Sequence, residues 1–180
     1  NAILKSYVAK VKFQEAPYTN SIEFVNHLKE HTPAQYQYLI NDMFETITLY
    51  DNKVDEVKVT PLKDGTYQVD ISFIVSKYKT GPKGDQLYTD ASGKTLLGKE
   101  GSKDVKSYPM QDFVEIGVFG EKILKGKHEY ENELYNKKYL INKVNNKVRI
   151  IVDKKPFEVG VDPYNKLIDR NSNDNRKKVD

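Results

Sequence analysis

Cysteine is absent from this 180-residue chain. That excludes disulfides, thiolate metal sites and cysteine nucleophiles. It fixes no compartment, because cytosolic and periplasmic proteins both manage without it. No apolar run approaches the ~18 residues that a membrane-spanning helix needs. A secretory signal is also missing, but Asn1-Ala2 reads as the remnant of a cleaved tag, so nothing follows for a longer parent. Nor does one sign of charge prevail. The 29 basic and 26 acidic residues give a net charge of +3 and are interspersed. No basic stripe marks a nucleic-acid footprint, and a mixed, solvated surface is expected.

What is there suffices for one domain, or for a domain with an appendage. A chain of this size buries roughly 70% of its unfolded surface. Ile3, Leu4, Tyr7, Val8 and Val11 recur at helical spacing, which predicts a helix ending before Pro17. Asn20 followed by Glu23 starts a second, with Ile22, Val25 and Leu28 on its apolar face. Thr32, Pro33 and Gln35 form start chemistry for a third over about 33–45, with Tyr36, Leu39, Ile40, Met43 and Phe44 on one face.

From Ile47 the period becomes two. Asp51-Asn52 reads as a turn, Val57 and Val59 continue, and Pro61 ends that strand. Lys63-Asp64-Gly65 reads as a hairpin turn. Tyr67, Val69, Ile71, Phe73 and Val75 then alternate cleanly with polar residues, as in a half-buried strand. Residues 79–109 read as a long loop or weak hairpin, and Glu121 to Asn132 as a polar excursion. Further strands are expected around Val114–Val118, Tyr139–Ile141, Val148–Val152 and Phe157–Val161, with a turn at Asn145-Asn146. The pattern predicts a mainly β chain: an antiparallel immunoglobulin/fibronectin-like β-sandwich preceded by about three short α-helices. The expected organisation is a helical segment 1–45, a sandwich 46–170 and a polar tail 171–180 that frays.

Chemistry-bearing patterns are few. His27-Leu28-Lys29-Glu30-His31 matches H-x-x-E-H, in which residues four apart on a helix could grip zinc and Glu30 could activate a water. His31 falls on the last turn of its helix and no third ligand is evident, so chance surface histidines are the simpler reading. Asp169 to Asn173 resembles the start of a calcium loop, but position six is Asp174 where a Gly is required. Gly93-Lys94-Thr95 lacks the upstream Gly of a phosphate loop, since Tyr88 stands there. No nucleophile elbow appears, and His128 lies in a charged stretch.

Four phrases carry a resemblance. They are Lys12 to Glu15 with Pro17 to Thr19; Gln37 to Ile40 running on through Phe44 to Asn52; Glu115-Ile116-Gly117-Val118-Phe119; and Gly160 to Arg170. In that order they resemble the C-terminal end of bacterial, Bacteroidetes-type proteins that join an ABC-transporter permease to a zinc aminopeptidase domain. The resemblance implies that the chemistry lies upstream, on an H-E-x-x-H helix with a further Glu ligand. Neither is present here, so no catalytic, zinc-binding or other cofactor residue is carried over. It implies a non-catalytic accessory module with zinc held by the parent's catalytic domain. That domain is the expected partner, with peptide substrates or other proteins besides. Nucleic acid and membrane insertion are not expected. The parent would sit in the bacterial inner membrane with this module in a soluble compartment. Two alternatives stand beside it: a small zinc peptidase using His27, Glu30 and His31, and an Ig-like cell-surface module binding sugar or protein.

Overall fold

The structure, a computed structural model, describes residues 1–81, 86–89, 95–98 and 111–179. The chain divides into two compact units, Asn1–Thr48 and Leu49–Asp180.

The first unit is helical. Helix α1 spans Ala2–Val11 and α2 spans Ser21–His31. The Asn20 side chain accepts a hydrogen bond from the Glu23 N–H at 3.0 Å, which satisfies one of the unpaired donors at the start of α2. Tyr7 packs edge-on against Phe24 with ring centroids 5.0 Å apart, and Lys10 pairs with Glu23 at 3.2 Å. The third predicted helix is broken. A 3₁₀ turn at Ala34–Tyr36 leads into one α turn, α3, at Gln37–Ile40, and a π turn follows at Asn41–Glu45. Thr32 does not cap it. The Gln37 side chain reaches back to the carbonyls of Lys29 (2.7 Å) and Thr32 (2.6 Å), tying the start to the end of α2 instead. At the other end the Thr46 N–H closes on the Asn41 carbonyl at 3.0 Å. The wider π turn rotates the later residues off the common face. Ile40 is buried, whereas Met43 is 71% and Phe44 46% exposed.

The second unit takes up β1 (Ile47–Pro61) from Leu49 and adds β2 (Tyr67–Thr80), β3 (Gln86–Thr89), β4 (Thr95–Gly98) and β5 (Asp112–Lys125). Strands β6 (His128–Ile141), β7 (Asn145–Val152), β8 (Glu158–Val161) and β9 (Arg176–Lys178) complete it. One antiparallel sheet contains β1, β2, β3, β4 and β7, and the other runs β6-β5-β8-β9. Val69, Ile71, Phe73 and Val75 of β2 meet Val114, Ile116 and Val118 of β5 in a single buried cluster, joined by Ile150, Val152, Val159 and Val161. Both sheets contribute to it, so the unit is a β-sandwich. With the β3–β4 hairpin as an insertion, the remaining strands divide into β1-β2-β7 and β6-β5-β8-β9. This is an immunoglobulin/fibronectin-like arrangement in which β6 stays beside β5 instead of joining β7.

Four sequence expectations need correction here. The turn expected at Asn145-Asn146 lies just before them, and both residues pair with β2 as the start of β7. No turn interrupts β1 at Asp51-Asn52. Asn52 is fully buried, and its N–H donates to the Asp169 carboxylate at 2.9 Å, which holds the strand straight through. The excursion at 121–132 is a continuous ladder from β5 into β6, closing at Lys125↔His128 around Gly126, whose φ of +66° suits glycine. It reads as polar because most of its residues face solvent. Through Val179 the tail is built into the sandwich. Asn175 is fully buried and its carbonyl accepts from the Val161 N–H at 2.8 Å, while β9 pairs with β8 and Val179 N–H bonds the Phe157 carbonyl at 2.8 Å. Backbone pairing holds this edge, and composition alone does not register backbone pairing. Of the loop expected at 79–109, Lys79 and Thr80 belong to β2, and 86–89 and 95–98 form the β3–β4 hairpin. The Gly93-Lys94 pair and Asp180 lie outside the described residues.

Candidate functional sites

Helix α2 brings His27, Glu30 and His31 together as the H-x-x-E-H spacing requires, with one ligand atom from each lying within 4.8 Å of the others. The Ser6 hydroxyl donates to the Ile3 carbonyl at 2.8 Å and also lies 2.8 Å from His27 Nε2. A hydroxyl has one proton, so His27 donates from Nε2 and keeps its lone pair on Nδ1. His31 Nδ1 donates to the His27 carbonyl at 2.8 Å and keeps its lone pair on Nε2. The two rings stack with centroids 4.1 Å apart and tilted by 32°. A tetrahedral zinc at ~2.0–2.1 Å from nitrogen and oxygen holds its ligand atoms roughly 3.3–3.5 Å apart. The 4.8 Å limit on the three donors brackets that spacing. His27 is buried, and Glu30 and His31 are exposed on the final turn.

The Gly160–Arg170 phrase forms the connection that leaves β8. Asp162 has a φ of +44° and is almost fully buried. Its carboxylate accepts the backbone N–H groups of Lys166 (3.0 Å) and Leu167 (2.9 Å), closing the turn. Burial raises its pKa, those two bonds counter part of that, and the nearby Glu115 and Asp169 carboxylates add to it. Lys166 Nζ lies 2.5 Å from Glu115 and holds that carboxyl below its ordinary pKa. Tyr164 donates to Glu133 at 2.6 Å, which pushes the phenol up to about 12. Asp169 accepts from the Asn52 and Asn171 N–H groups, and Tyr50 pairs with the same stretch through Ile168 and Arg170. Asp162 thus closes the connection on itself, while Asp169 fastens it to β1 through Asn52. In the suspected calcium loop, Asp174 accepts from the Asn171 side-chain amide at 3.0 Å, a bond within the loop itself.

Sequence reasoning missed a buried ion pair. Lys77 Nζ lies 3.0 and 3.3 Å from the Asp112 oxygens, with both side chains shielded from solvent. The signal was present, because Lys77 continues the inward parity of Val69 to Val75. A cleft of about 780 Å³ runs along the sandwich between β1 and β9, floored by Val57, Val59, Val148 and Val179. Its carboxylates are Glu56 and Asp70, and Asp70 is bonded to Arg149 at 2.7 Å, so no facing acid–base pair is available.

No protein-family profile, curated protein or solved structure matches this chain.

Proposed function

We propose that this chain is a non-catalytic C-terminal accessory module of a membrane-anchored zinc aminopeptidase fused to an ABC-transporter permease. The observation that carries the reading is the surface of the helical unit. Leu4, Val8, Phe13, Tyr18, Ile22 and Met43 are between 49% and 96% exposed, while Ile40 is the unit's buried hydrophobic residue. A unit of this size cannot stand on one buried aliphatic side chain, and such apolar surface marks a place where protein docks. The four phrases supply the identity of the occupant: the remainder of the peptidase's helical region. No helix among the described residues is long and apolar enough to cross a membrane, so the anchor belongs to the rest of the parent.

The test is to express the upstream region with and without residues 1–180. Zinc and aminoacyl-reporter hydrolysis should belong to the upstream piece. Its thermal stability should rise when 1–180 is attached, and Phe13→Ser with Met43→Ser should reverse the rise. An upstream sequence without an H-E-x-x-H helix would end the proposal. The zinc-peptidase reading has one observation in its favour, the convergence of His27, Glu30 and His31. It requires hydrolysis by 1–180 alone that disappears with His27→Ala or His31→Ala.

A further inference from the structure

Strand β6 closes one side of the four-stranded sheet, and among the described residues no strand pairs with its outer edge. It is 14 residues long, an open edge of about 45 Å at ~3.3 Å per residue. Such an edge is a template for another strand unless something blunts it. The charge along it is polarised. Glu129, Glu131 and Glu133 occupy the first half, and Lys137 and Lys138 the second.

A plain strand would place Glu131 and Lys138 on opposite faces, because their separation is odd. The structure removes that mismatch. Tyr135 pairs with Val118 and Glu133 with Phe119, so Leu134 is an extra residue and the facing alternation of β6 switches there. Glu131 and Glu133 then lie on the outer face, where they meet Arg176 (3.0 Å) and Tyr164 (2.6 Å). Lys138 stands opposite Glu115 on that same face, since the flanking Val114 and Ile116 point into the core.

We infer that β6 pairs antiparallel with β6 of a second copy, about a two-fold axis between Leu134 and Tyr135. In this register Glu131 stands opposite the partner's Lys138 on the outer face, and the symmetry makes the contact twice. Tyr130 stands opposite the partner's Tyr139 on the other face, also twice. The parallel in-register alternative sets carboxylate against carboxylate and ammonium against ammonium, which is unfavourable. A two-fold interface needs a self-complementary patch, and a strand acidic at one end and basic at the other is one. Glu131 already accepts two bonds from Arg176, which fixes its orientation and leaves lone pairs for a second cation. The inference does not rest on the aminopeptidase reading.

Sedimentation equilibrium on residues 1–180 tests it. The expected result is a reversible monomer–dimer equilibrium that weakens with salt. Lys138→Glu puts two like-charge contacts in the interface and should raise the dimer dissociation constant roughly tenfold or more. Glu131→Lys should do the same, and the two together should return it to within about threefold of the original. Circular dichroism checks that each variant is folded, and Lys138→Gln, with a smaller expected weakening, substitutes if Lys138→Glu is not. A chain that stays monomeric at millimolar concentration overturns the inference, as does a dimer indifferent to Lys138→Glu or a double variant no tighter than the single ones.

Discussion

Replacing Lys77 by Met tests the reading of the sandwich core most severely. The substitution keeps the length of the side chain and removes its charge. Asp112 Oδ2 then loses a cation 3.0 Å away in a place where only 4% of its side chain reaches solvent. Removing one partner of a buried ion pair costs about 3–5 kcal/mol, because the remaining charge is left uncompensated. A domain has only about 5–15 kcal/mol in total. For a unit of this size the loss should lower the melting temperature by roughly 10–20 °C. The double replacement Lys77→Met with Asp112→Leu removes both charges and should recover most of the loss, since apolar pairs often match or exceed buried ion pairs. Urea unfolding followed by circular dichroism measures all three variants. The reasoning fails if Lys77→Met is within about 1 kcal/mol of the parent, or if the double variant is less stable than either single one.

The remaining expectations concern the β8–β9 connection and the sheet edges. Asp162→Ala removes two bonds to backbone N–H groups and leaves a side-chain-bearing residue at φ +44°, so a loss of about 2–4 kcal/mol in urea unfolding is expected. The raised pKa of Asp162 makes its ionised form a burden on the fold, so its contribution falls as pH rises from the unfolded value of ~3.9 through the raised folded value. Asp162→Asn should flatten that part of the pH–stability curve. Glu115 has the opposite sign. Lys166 lowers its pKa, so its contribution is present above the unfolded value of ~4.3 and is lost as pH falls through the lowered one; Lys166→Met should move acid unfolding to higher pH. Gly160→Ala would bring a methyl group to 2.7 Å from Pro163 Cβ and should cost about 1–3 kcal/mol in the same urea assay. Truncation after Arg170 should unfold the sandwich by circular dichroism, because it removes β9 and the buried Asn175.

The sandwich was legible because strand alternation is a strong signal when one face is dry. Val69 to Val75 and Val114 to Val118 wrote it without ambiguity, and the Asn20 cap marked α2 equally well. The failures share a cause. The third helix has good propensity, but Gln37 draws its first turn onto α2 and a π turn displaces Met43 and Phe44. Strand β9 and the distal β5–β6 ladder are held by backbone pairing at exposed edges, where side-chain polarity says little. Asn52 looked like a turn residue, yet its partner, Asp169, is 117 positions away. The H-x-x-E-H spacing placed three donors together on α2, as the helical period demands. What it left unstated was the direction of each lone pair, which Ser6 and the His27 carbonyl set.

The account stands on the claim that the reactive centre lies outside this polypeptide. Metal analysis of purified residues 1–180 after zinc loading and desalting, paired with an aminoacyl-reporter assay, addresses it directly. The account expects no turnover, and no stoichiometric zinc that His27→Ala or His31→Ala removes. One tightly held zinc per chain, released by either substitution together with measurable hydrolysis, would contradict it.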